Sequence, residues 1–77
     1  MSKFIVDTTR TEIINKDMIT RIYLSCGEAG YFICANMVSG NPVALGKYDS
    51  KERVMEVFYE LLRCEMNTNN DFYLMPQ

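Results

Sequence analysis

Three sets of residues have types and spacings that bear on chemistry: the cysteines Cys26, Cys34 and Cys64, the glutamates Glu52, Glu56 and Glu60, and the glycines Gly27, Gly30, Gly40 and Gly46. The three cysteines contain no Cys-x-x-Cys pair and fall one ligand short of a tetrahedral thiolate zinc site. Histidine is absent. The commonest general base and metal ligand is therefore missing, and neither a Cys–His pair nor a Ser-His-Asp triad can be built. Cys34, inside a β-rich run, and Cys64, at helical spacing from Leu61, read as small hydrophobes. Cys26 sits beside Gly27 with no flanking Lys or Arg to lower a thiol pKa. The glutamates recur every fourth residue, which makes an acidic strip along a helix. Hydrolysis by paired carboxylates needs a cleft around the pair. A strip reads instead as a solvated face or as a contact surface for a basic partner. Gly27 and Gly30 do not have the spacing of a Gly-x-Gly-x-x-Gly phosphate loop. The residues predict no enzyme, no cofactor and no metal site.

The elements that must position these residues are a run of strands and then one helix. Residues 3–7 and 12–14 are β-rich and flank the polar break at 8–11, as in a hairpin. After a second break at 15–17, residues 18–25 alternate Thr20, Ile22 and Leu24 against Arg21, Tyr23 and Ser25, the period of a strand. Residues 26–30 form a turn that uses two glycines. Residues 31–38 are apolar on both faces, which predicts a central strand. A turn at 39–41 leads to Pro42, which can open a strand over 42–48. Links this short exclude parallel crossovers, so antiparallel pairing is expected.

At 49 the period changes. Asp49 or Ser50 can cap a helix, and Asp49 with Glu52 has the spacing of a capping box. Val54, Val57, Phe58, Leu61 and Cys64 form one apolar stripe, which predicts a helix over 50–66. Residues 67–71 end it. Phe72, Tyr73, Leu74 and Met75 make either a short edge strand or a tail laid across the sheet. The fold class expected is α+β: an antiparallel sheet of about five strands followed by one amphipathic α-helix on one face, a single domain over 1–77.

The chain has 77 residues, which bounds it to one domain with a thin stability margin. Eight basic and ten acidic residues give a net charge of −2 with no basic cluster, which disfavours nucleic acid as a partner. No apolar run approaches the roughly 20 residues that span a bilayer. Phe4, Ile5 and Val6 are followed at once by Asp7 and Thr8, unlike a signal peptide. With free thiols, the expected setting is the reducing cytoplasm, with no membrane association.

The helix carries more apolar surface than one sheet face requires. Beyond its stripe it has Met55, Tyr59, Leu62 and Met66, where a stripe a little over 100° wide suffices. Tyrosine and methionine are enriched at interfaces. The partner-binding residues expected are therefore Met55, Glu56, Tyr59, Glu60 and Leu62.

Several segments together carry a resemblance: 13–19 (Ile-Ile-Asn-Lys-Asp-Met-Ile), Ile22-Tyr23, 31–35 (Tyr-Phe-Ile-Cys-Ala), 45–53 (Leu-Gly-Lys-Tyr-Asp-Ser-Lys-Glu-Arg) and 72–76 (Phe-Tyr-Leu-Met-Pro). Through them the chain resembles small uncharacterised proteins of phages and prophages of Firmicutes. The likeness covers most of the chain, and Leu-Gly-x-Tyr-x-Ser-x-Glu-Arg with the later Met-Pro is its most specific part. Residues 26–28 depart from it. The resemblance carries no active site. It implies that the protein acts by binding a bacterial host protein and inhibiting or modulating it, a CRISPR or other defence factor among the options. Two other functions are open at the sequence level. One is a self-assembling phage accessory protein, such as a homodimer. The other is single-stranded nucleic-acid binding through the sheet, with Tyr31, Arg21 and Lys47.

Overall fold

The computed structural model describes residues 3–67 and 72–77, and the side chains of 64–67, Cys64 and Met66 among them, lie outside that description with residues 68–71. The strands are β1 (Phe4–Val6), β2 (Ile13–Asn15), β3 (Ile19–Gly27), β4 (Gly30–Met37), β5 (Pro42–Tyr48) and β6 (Phe72–Leu74), with helix α1 (Lys51–Asn67) between β5 and β6. The class is α+β as the sequence indicates, but the strands form two sheets of three and not one sheet of five. One has the order β2-β1-β6 and the other β3-β4-β5.

The division falls at residues 16–18. A single 3₁₀ turn, Lys16–Met18, follows Asn15, whose side-chain oxygen accepts the Asp17 N–H at 2.9 Å. This cap turns the chain out of β2, and β3 starts a new sheet with a register shift between Ile19 and Arg21. Antiparallel pairing holds for β1–β2, β3–β4 and β4–β5. It fails for β6, which pairs in parallel with β1 (Phe4↔Phe72, Ile5↔Tyr73, Val6↔Leu74). The short-link rule governs strands that are neighbours in sequence. It does not reach a pair separated by the whole second sheet and the helix, which together serve as the crossover a parallel pair needs. The apolar group at 72–75 is thus a strand of the N-terminal sheet.

Two other expectations are adjusted. β3 runs on to Gly27, so only Glu28 and Ala29 form the turn, and Gly30 opens β4 with φ +132°. Of the two cap candidates, Ser50 is the one used. Its hydroxyl accepts the Arg53 N–H at 3.1 Å, the bond expected between N-cap and N3. Glu52 therefore occupies N2, and no Asp49–Glu52 box forms.

One core joins both sheets and the helix. It contains Ile5, Ile14, Tyr73 and Met75 from the N-terminal sheet and its flank, Ile33, Ala35, Leu45 and Tyr48 from the second sheet, and Val54, Val57 and Leu61 from α1. Of the stripe read from its spacing, the helix buries Val54, Val57 and Leu61 and partly buries Phe58, while the Cys64 side chain lies outside the described residues. Leu45, Gly46, Tyr48 and Ser50 each have a physical role. Leu45 is fully buried, Gly46 lies under Thr8 and Tyr48, the Tyr48 hydroxyl donates to the Pro76 carbonyl, and Ser50 caps α1. Residues 75–77 are tied down from several sides. Arg10 donates to the Met75 carbonyl at 2.9 Å, Arg53 to the Gln77 carbonyl at 2.6 Å, and the Gln77 amide to the Thr8 carbonyl at 2.7 Å.

Candidate protein-interaction surface

The N-terminal sheet buries one face and exposes the other. Ile5, Ile14 and Tyr73 stand in register and enter the core. By strand alternation, Phe4 and Val6 of β1, Ile13 of β2, and Phe72 and Leu74 of β6 share the opposite face. These five side chains are apolar, and the sixth residue of the face, the exposed Asn15 opposite Phe4, is polar. Ile13 is 63%, Leu74 57% and Phe72 49% exposed. Phe4 and Phe72 stack with centroids 5.3 Å apart, and Val6 is covered between its neighbours Ile13 and Leu74 although it lies outside the main core. A three-stranded face built this way is a contiguous apolar patch, the kind of surface that marks an interaction site. Sequence reasoning missed it. The period-2 pattern of three-residue strands is too short to reveal that Ile13, Phe72 and Leu74 face outward together. The β1–β2 and β1–β6 pairings together set Ile13 and Leu74 on either side of Val6, with Phe72 beside Phe4.

The helix residues picked from sequence are divided by the structure. Tyr59 and Leu62 are 56% and 51% exposed. Met55 is half-buried and packs against the core. Together the three follow i, i+4, i+7 spacing and lie along one side of α1. Glu56 is exposed and forms an ion pair with Arg53. Glu60 lies roughly 160° around the axis from Leu62 at 3.6 residues per turn. It is near enough to Tyr48 to oppose ionisation of that phenol, which burial chiefly pushes up. The structure therefore brings Met55, Tyr59 and Leu62 together, sets Glu56 at their flank with its charge paired, and places Glu60 on another side.

The second sheet also has an open face. Its register sets Arg21, Tyr23 and Ser25 of β3 on the same side as Phe32, Cys34 and Asn36 of β4 and Ala44 and Lys47 of β5. The Arg21 guanidinium lies 4.6 Å from the centroid of the Tyr23 ring. Tyr31, grouped with Arg21 and Lys47 on sequence grounds, points to the other side, where it lines a groove against α1. Tyr23 and Phe32 are the aromatic groups that accompany the two cations.

Burial pushes the Cys34 thiol up, away from thiolate chemistry. Cys26 is exposed at the end of β3. Among the described residues no three Cys, Asp or Glu side chains converge as metal ligands, and no helix is long and apolar enough to cross a membrane. The one buried carboxylate among the described residues, Asp7, is absorbed in structure. It accepts the Thr9 hydroxyl at 2.7 Å and the N–H groups of Thr11 and Glu12 at 3.1 and 3.2 Å. These bonds, the Thr9 one first, hold its pKa below the ordinary carboxylate value against the opposing effect of burial.

No known protein family, curated protein or solved structure matches the chain.

Proposed function

We propose that this chain is a non-catalytic protein-binding domain, and that its partner is a bacterial host protein which it inhibits or modulates. The observation that supports the binding reading is the apolar face on which Ile13, Phe72 and Leu74 are exposed around the half-buried Phe4 and the buried Val6. Tyr59 and Leu62 on α1 supply a second apolar band, with a tyrosine of the type enriched at binding hot spots. The resemblance to phage proteins of Firmicutes supports a host target, with a CRISPR or other defence factor as one class.

The test is capture of a partner from lysates of Firmicutes hosts on the immobilised protein, with Ile13→Lys and Leu74→Lys as controls. Both positions are exposed, so folding should survive. One stoichiometric partner is expected, and each variant should bind it about 30-fold or more weakly, the effect of losing a hot spot. Recovery of no partner across several hosts, or equal recovery by the variants, would reject this reading.

A second reading has one specific observation in its favour. The open face with Arg21 over Tyr23, Phe32 and Lys47 resembles in chemistry the platforms on which single-stranded bases stack. The net charge of −2 weighs against it. Salt-sensitive binding of an oligonucleotide, lost in Tyr23→Ala, would revive it.

A further inference from the structure

The second sheet has two edges, and the fold treats them differently. At β5 the N-terminal segment comes alongside, and the Thr8 N–H donates to the Leu45 carbonyl at 3.1 Å. At β3 the ladder partner is β4, and the other side is open among the described residues. β3 is also the longest strand, nine residues from Ile19 to Gly27, with no proline and no lysine. Arg21 is its only charged residue. Natural sheets blunt a free edge with charge, proline or cover, because an open edge templates another strand.

The hairpin register fixes which groups this edge presents. A turn of two residues makes Gly27↔Gly30 the closing hydrogen-bonded pair of β3 and β4. Bonded and non-bonded pairs then alternate. Arg21, Tyr23 and Ser25 bond inward to β4, and Ile22, Leu24 and Cys26 present their N–H and C=O groups outward. Side chains alternate as well. Arg21, Tyr23 and Ser25 stand on the open face, while Ile22 and Leu24 are half-buried on the side of the core.

Laid antiparallel and end to end against a copy of itself, this strand is self-complementary. The two-fold axis falls at Tyr23. Ile22 then stands opposite Leu24, and both present backbone groups to the other chain, so the two ladders meet in register. Arg21 stands opposite Ser25. Tyr23 meets the Tyr23 of the other copy as a close, non-bonded aromatic pair. No like charges oppose each other between 21 and 25. The irregular step between Ile19 and Arg21 lies at the end of this stretch and does not interrupt it.

The helix selects the occupant. Met55 lines a groove of about 170 Å³ with Leu24, Cys26 and Tyr31, so its flank of α1 is the one above β3. Leu62 follows Met55 by seven residues, within about 20° of the same line along the axis, and is 51% exposed. Glu60 lies on the other flank, near Tyr48 of β5. The apolar surplus of α1 thus overhangs the open edge. A bare strand from another protein would bond to the edge and leave that flank uncovered. A second copy brings its own helix. An axis perpendicular to the sheet keeps both helices on one side of it, and the two Met55–Leu62 flanks face each other above Ile22 and Leu24 of both chains.

We propose that two copies of this chain join β3 to β3, so that three strands from each form one continuous antiparallel sheet with Tyr23 at the axis. The Ile13–Leu74 face takes no part in this contact, and the proposal does not rest on the reading of that face.

The test is sedimentation velocity with amide hydrogen exchange on the full chain, over a series from micromolar to millimolar concentration. The parent should pass from monomer to dimer. As it does, the Ile22 and Leu24 amides should exchange more slowly, while that of Tyr23, bonded to β4 throughout, changes little. Tyr23→Glu and Tyr23→Lys each set like charges face to face at the axis, and each should weaken the dimer about fivefold or more. An equimolar mixture of the two should restore it as a heterodimer, which variants that had merely misfolded would not do. Ile13→Lys should leave the dimer unchanged. A parent that stays monomeric at millimolar concentration overturns the proposal. So does a mixture no more dimeric than either variant alone, or a dimer lost in Ile13→Lys and kept in both Tyr23 variants. Capture of a host partner is judged separately, by Ile13→Lys and Leu74→Lys on the immobilised protein.

Discussion

A Cβ added at Gly46 would lie 2.8 Å from Thr8 Cγ2 and 2.8 Å from the Tyr48 hydroxyl, with a ring carbon of Tyr48 at 2.9 Å. Real side chains do not approach that closely, and here both neighbours are held, Thr8 by its N–H bond to the Leu45 carbonyl and Tyr48 by its bond to Pro76. Gly46→Ala should lower the urea midpoint by the equivalent of about 1–3 kcal/mol, as overpacking does. Gly27→Ala has nothing within 4 Å and should leave the midpoint nearly unchanged. Asp7 gives a pH-dependent prediction. Its folded-state pKa lies below the unfolded value because Thr9 and two backbone N–H groups bind the carboxylate. The stability this contributes is present above the ordinary Asp range, near pH 4, and is lost as pH falls through the lower folded value. Asp7→Asn should therefore be less stable than the parent at neutral pH. Its unfolding free energy should also fall less steeply below about pH 4, as measured by urea titrations across pH.

At the scale of elements, the helix was nearly transparent in the sequence. Its stripe of Val54, Val57 and Leu61 is buried as the spacing required, and it begins within a residue of the expected start. The cap had two candidates, and Ser50→Ala should lower stability by about 1 kcal/mol in thermal melts, whereas Asp49→Ala should not. The strand positions of the second sheet were also legible: β3 showed a period of two, β4 an apolar run on both faces, and β5 a start at Pro42 after a turn. The N-terminal sheet was not. Its strands have three residues each, and such segments carry no statistical period. Their outward residues could be found only from pairing. This is why the site read from sequence fell on α1, where Tyr59 and Leu62 are exposed, and missed Ile13, Phe72 and Leu74. Glu60 was grouped with Glu56 by spacing of four. A helix of 3.6 residues per turn lets such a row drift around the axis, and Glu60 comes near Tyr48.

The molecule as a whole depends on joining its two ends. β1 and β6 lie side by side, Met75 is fully buried, and residues 75–77 are bonded by Arg10, Arg53 and Thr8. Met75→Ala should cost about 2–5 kcal/mol, within the range for truncating a buried methionine, and should loosen the amides of β1 together with those of β6 in hydrogen exchange. Neither effect was predictable from the composition of 72–76, because an apolar tail can dock in many ways. The β1–β6 pairing also sets an order in time. On emergence from the ribosome, β3, β4, β5 and α1 can meet through local contacts, but β1 has no parallel partner until residues 72–74 have been made. Closing a loop of nearly the whole chain is entropically slow, and contacts of such separation retard folding. Until then the apolar side chains of β1 and β2 are without their third strand. A nascent or partly opened chain would expose them to whatever is nearby, so the proposed binding face and an aggregation hazard draw on the same few residues.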